Sequence, residues 1–217
     1  MRLVFIHGRA QQGQDPATLQ HQWTAALHRG LAKAGLALPA GLEIAFPFYG
    51  DELERWVNRI AQSGPLGIGL RGPGAAPGDR ILEAQLELAK ELQHAAGVSD
   101  AEVDAQRPAA GPRERGALNW EWVQAIARAI DAHTPWGANL LELFTRDVQL
   151  YLTRQAVRDA IDQIVLAALG PGPLAVVAHS LGSVVAYNVL TKYTRTGTIQ
   201  GLVTVGSPLG LDSVKQP

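Results

Sequence analysis

The sequence predicts an α/β fold, a parallel sheet flanked by helices, on three observations. Four short apolar segments, Leu3–Ile6, Glu43–Phe46, Leu174–Ala178 and Leu202–Val205, have the character of strands buried inside a sheet. Helical periodicities separate them. Glycine, proline and Asp15 punctuate the joins. Strands alternating with helices cannot be joined by hairpins, so they form parallel pairs with right-handed crossovers.

In chain order, Leu3–Ile6 ends at His7-Gly8, where the loop through Gln11, Gln12 and Gly13 begins. Asp15-Pro16 then supplies an N-cap and an N1 proline. Leu19, Trp23, Ala26, Leu27 and Leu31 recur at helical spacing until Gly35 ends the helix. Glu43–Phe46 returns as the second strand. Residues 63–78 hold six glycines and three prolines among sixteen, and residues 107–116 are again rich in proline, glycine and arginine, so both read as loops. Helical patterns cover Arg80–Ala96, Trp120–His133, Asn139–Leu152 and Gln155–Leu169, the last running into Leu174–Ala178. The chain is read as a single domain over 1–217, in which 63–116 is an insertion that forms a helical lid or cap, or a mobile surface loop. No internal repeat is present.

The 217 residues are on the scale of one sizeable domain, and 47% hydrophobic against 18% charged residues is enough to build a core. Nineteen basic against 20 acidic residues give a net charge of -1 and no field to draw a polyanion, so nucleic acid is not expected as a partner. With no cysteine there is no disulfide, no thiolate nucleophile and no cysteine-ligated metal. The six histidines show no paired spacing with acids, and no metal is expected. The longest apolar run, Ile164–Leu169, has six residues and is far short of the ~20 that cross a bilayer. The N-terminus lacks the apolar region of a secretory signal. The expectation is a cytoplasmic protein without a transmembrane segment.

Chemistry concentrates where strands end. Leu174-Ala-Val-Val-Ala178 runs into His179-Ser180-Leu181-Gly182-Ser183 and then an apolar helix. A serine between strand and helix stands on a sharp turn whose neighbours must be small, with its hydroxyl clear of the sheet and the next N–H aimed into the same space. Ala178 and Gly182 meet that demand, and the helix dipole favours negative charge beside Ser180. The competing reading is that Ser180 caps the helix that begins at Leu181. At the first strand's end, Gly8 permits close backbone approach, and the Arg9 N–H joins that of Leu181 as a candidate oxyanion hole. His7 reads as a brace for this loop rather than a base. The Arg9 side chain reads either as a surface charge or as a holder of an acidic substrate group. Val205-Gly206-Ser207-Pro208-Leu209-Gly210 marks where a further strand ends in a tight loop.

Taken together, Val-Phe-Ile-His-Gly, Val-Val-Ala-His-Ser-Leu-Gly and Val-Gly-Ser-Pro-Leu-Gly resemble the oxyanion strand, nucleophile elbow and following loop of the α/β-hydrolase superfamily, in particular its bacterial lipase-like and serine-esterase members. The resemblance covers about sixty residues at the two ends of the chain and leaves 63–116 unmatched. It departs from the common elbow in having Ala178 where glycine is usual. The resemblance implies Ser180 as nucleophile, the amides of Arg9 and Leu181 as oxyanion hole, and hydrolysis of an ester or related acyl bond through an acyl-enzyme, without a cofactor. The substrate implied is a small or medium acyl compound. Thioesterase and acyltransferase activity use the same serine and are equally compatible.

The family order continues with an acid and then a histidine, but no histidine follows His179. Asp212 is the single carboxylate after Ser180 and the candidate acid. Ending at Pro217 leaves Leu202–Val205 at or near a sheet edge, so the chain is expected to be a piece of a longer one with further strands that carry the acid and the histidine. A binding or regulatory module that kept the elbow without the triad is the reading from another class. A protein-partner face around Trp120, Trp122, Trp136 and Tyr151, in the helical middle of the chain, is a further expectation.

Overall fold

The computed structural model describes residues 1–62, 79–107, 120–133, 147–148, 150–193, 198–210 and 214. Its contacts divide the chain into two compact units, one of residues 1–56 and 155–209, the other of residues 57–154 and 210–217.

The first unit holds a four-stranded, all-parallel sheet in the order β2-β1-β3-β4. The strands are β1 (Arg2–Ile6), β2 (Glu43–Ala45), β3 (Leu174–His179) and β4 (Ile199–Val205). Leu3–Ile6 of β1 are buried, as the continuous apolar run requires of a strand covered on both faces. The β1–β3 register pairs Arg2 with Leu174 and Ile6 with Ala178, so the two strands end level. β2 and β4 are the edge strands, and all seven residues of β4 are exposed.

Helix α1 (Pro16–Lys33) starts as expected: the Asp15 carboxylate accepts the Thr18 N–H at 2.8 Å, and Pro16 occupies the first turn. It stops at Gly35, whose φ of 70° suits glycine, while Leu36 N–H closes on the Leu31 carbonyl at 2.9 Å. Trp23 of α1 meets Phe5 and Phe46 edge-on, each at 5.6 Å, which ties the helix to the sheet.

Helix α2 (Gly50–Gln62) has no counterpart in the sequence reading. Its signal was present, because Asp51 and Glu52 enrich the first turn and Leu53 and Val57 bury one stripe. Two later helices cover the sheet, α6 (Gln155–Leu169) and α7 (Leu181–Thr191). The buried Asp162 of α6 accepts the Asn188 amide of α7 at 2.7 Å.

Among the described residues, the second unit holds α3 (Asp79–Ala95), α4 (Asp100–Ala105) and α5 (Trp120–His133). Helix α4, also unread in the sequence, opens on a Ser99/Glu102 capping box. Leu86 and Ala89 of α3, Val103 of α4 and Trp122, Ile126 and Ile130 of α5 form one core. Arg107 lies over the Trp122 ring at 5.3 Å. Trp122 is buried in this core and Tyr151 is buried as well, so neither ring is exposed; Trp136 lies outside the described residues, and so does the Trp120 side chain. Of the expected Asn139–Leu152 helix, residues 147, 148 and 150–152 are described, and all are helical. Of the insertion 63–116, residues 79–107 are described, as α3 and α4 and the segment joining them.

Candidate functional site

The strand order locates the site before any side chain is considered. From β1 the chain crosses to β2 on one side and later returns to β3 on the other, so the loops leaving β1 and β3 diverge. In open parallel sheets that divergence opens a crevice at the carboxyl ends of the strands.

There the loops touch. A Cβ built on Gly8 would lie 3.0 Å from the Ser180 Cβ and 3.0 Å from His179 Nδ1, and one on Gly182 would collide with the carbonyls of Ile6 and His7. Glycine at 182 is required for the turn after β3 to sit against the exit of β1, and at Gly8 a side chain would force its neighbours to give by a few tenths of an ångström.

Ser180 occupies φ 51°, ψ -126°, a region that side-chain-bearing residues avoid. Its side chain makes no capping hydrogen bond to α7, so the cap reading does not account for it. The Ser180 N–H is given to the Val205 carbonyl at 3.0 Å, anchoring the turn to β4. Its carbonyl accepts the Ser183 N–H at 2.9 Å and the Ser183 hydroxyl at 2.6 Å. The second non-glycine residue at positive φ among the described residues is Ala10, φ 57°, in the loop that follows Gly8. Both strained residues thus belong to the two loops that meet.

His7 is buried, and its ring is fully committed. Nδ1 lies 2.6 Å from the Gly8 carbonyl, which can only accept, and Nε2 accepts the Tyr49 N–H at 3.1 Å. These partners select the neutral Nδ1–H tautomer. The ring stacks on Tyr49 at 4.1 Å and on Phe46 at 5.6 Å, and the Tyr49 hydroxyl bonds the His7 carbonyl. Burial lowers its pKa to about 4, against the Gly8 hydrogen bond, which raises it. His7 is a brace, as its strand-end position suggested. It also holds the Gly8 carbonyl, and because the peptide is trans, this sets the direction of the Arg9 N–H.

Arg9 is buried, which excludes the surface-charge reading of its side chain, and the Gln11 amide donates to its carbonyl at 3.1 Å. The loop is backed by α2: Gly13 N–H donates to Asp51 at 2.7 Å, and a Cβ on Gly50 would lie 2.9 Å from the Gln11 carbonyl carbon. Leu181 is fully buried. His179 keeps an exposed side chain beside Gly8 and Gly206, its ring 6.1 Å from Trp23, and desolvation lowers its pKa. Ser180, Gly8, Arg9 and Leu181 are thus brought to one place, whereas Asp212 lies outside the described residues. Sequence reasoning missed Ser183 and Ser207, whose hydroxyls lie 2.7 Å apart behind the turn. Nothing in the primary pattern marks them, because they come from different elements.

Among the described residues no three histidine, aspartate or glutamate side chains gather as a metal site, and no helix is long and apolar enough to cross a membrane. No protein-family model, no curated protein and no solved structure significantly matches this chain.

Proposed function

We propose that the protein is a serine hydrolase of α/β-hydrolase type that cleaves an ester or related acyl bond through an acyl-enzyme on Ser180. The observation that carries this reading is the strained Ser180 backbone, φ 51°, with a hydroxyl that caps nothing. Strain of about 1–3 kcal/mol persists where function requires it and the surroundings over-determine it. Further support comes from the strand order, which puts the turn at the sheet's crevice, and from the Gly8 contact that lays the Arg9 loop against it.

In this reading the Ser180 oxygen attacks the acyl carbon, and the developing oxyanion is met by the N–H groups of Arg9 and Leu181. Expulsion of the leaving group gives the acyl-enzyme, and water releases the acid. An acyl acceptor other than water would make the same site a transferase. The proton lost by Ser180 passes to a general base other than His7, whose two ring nitrogens are engaged. That engagement favours one further reading, a binding module that retains the turn without turnover.

Hydrolysis of p-nitrophenyl esters of increasing acyl length separates the two. The proposal predicts turnover that falls at least about 10³-fold in Ser180→Ala. Turnover unchanged by that substitution contradicts it.

A further inference from the structure

We infer that Ser183 and Ser207 form a hydroxyl relay that positions the Leu181 amide, an inference that rests on the nucleophile reading of Ser180. The donor order follows from chemistry. The Ser180 carbonyl can only accept, so the single hydroxyl proton of Ser183 is spent on it, at 2.6 Å. In the 2.7 Å contact between the two hydroxyls, Ser207 must then be the donor. The Ser207 oxygen in turn accepts the Leu209 N–H at 3.2 Å. The chain therefore runs one way, from the Leu209 amide through Ser207 and Ser183 to the Ser180 carbonyl.

That carbonyl belongs to the same planar unit as the Leu181 N–H. Because the peptide is trans, a carbonyl held toward Ser183 leaves the Leu181 N–H held in the opposite direction. The unusual ψ of Ser180 is the rotation of this plane. A serine that returns its hydroxyl to a carbonyl one turn back is ordinary in helices. Here a second hydroxyl, from the loop leaving β4, fixes which way the first one donates. Hydrogen bonds in such chains polarise one another, and the Ser183 end is fully buried. The relay thus couples the turn after β4 to the candidate oxyanion hole, although neither serine needs to touch substrate.

The test uses the full chain as wild type, Ser183→Ala, Ser207→Ala, the double variant and Ser207→Thr. Two readouts are taken: the NMR shifts of the Ser180 carbonyl carbon and Leu181 amide proton, and the rate and saturation constants for inactivation by a fluorophosphonate. The relay predicts that both shifts move in Ser207→Ala, that Ser183→Ala slows inactivation about tenfold and Ser207→Ala about threefold, with the saturation constant unchanged. It predicts that the double variant is no slower than Ser183→Ala alone, because Ser207 acts through Ser183. The Thr variant, which keeps the hydroxyl, restores wild-type behaviour. Unmoved shifts in Ser207→Ala, or effects that multiply in the double variant, overturn the relay. A wild type that is not inactivated sinks the nucleophile reading instead, and the shifts still decide whether the relay orients the Leu181 peptide.

Discussion

In the proposed function, Ser180 opposes local stability to chemistry. Its φ of 51° costs energy that a glycine would not incur, and its side chain makes no capping bond that would offset the cost. Ser180→Gly is therefore expected to stabilise the protein by about 1 kcal/mol in urea unfolding while abolishing reaction with acyl substrates. Ser180→Ala, which keeps a Cβ at the same φ, is expected to abolish the reaction without that gain. Equal stability of the Gly and Ala variants would show that the turn is not strained. The strand–serine–helix pattern made this residue legible in the sequence, as did the small neighbours Ala178 and Gly182. The tautomer of His7 was not legible, because it depends on the Tyr49 amide, 42 residues away.

At the scale of elements, the brace between β1 and the residues before α2 carries a pH signature. His7 has a folded pKa of about 4 against an ordinary 6.5, so the unfolded chain binds the additional proton between those values. Its neutral form therefore stabilises the fold fully above pH 6.5, and the contribution is lost as pH falls toward 4. His179, also lowered, acts in the same direction. Urea midpoints are expected to rise with pH across this window, with a shallower rise in His7→Asn; identical slopes would contradict the brace. Strands β1 and β3 were readable because both are continuous apolar runs. Helix α2 is not legible because its charged residues, Asp51, Glu52, Glu54 and Arg55, hide the buried stripe of Leu53 and Val57. The first part of β4, Ile199-Gln-Gly201, escaped because a glycine and a polar residue interrupt the pattern of a strand that is not buried at all. The Ser183–Ser207 contact arises only when β3 and β4 pair.

Across the whole molecule the sheet has one strand unlike the rest. β4 lies at the edge, and Val203 and Val205 are 57% and 52% exposed. Exposed apolar edge strands promote association between chains. Val203→Lys is expected to change stability by less than about 0.5 kcal/mol while reducing concentration-dependent association in sedimentation velocity. A large loss of stability would instead mean that Val203 is packed in solution. The parallel sheet was legible from alternation alone, whereas the division into two units was not, because strand and helix patterns do not report which helices share a core.

Covalent labelling decides whether Ser180 is a nucleophile. The chain is incubated with a fluorophosphonate, and the adduct is measured by intact mass and located by peptide mapping. One adduct is expected, on Ser180, absent from Ser180→Ala. No adduct on a folded chain, or an adduct on another residue, would contradict it.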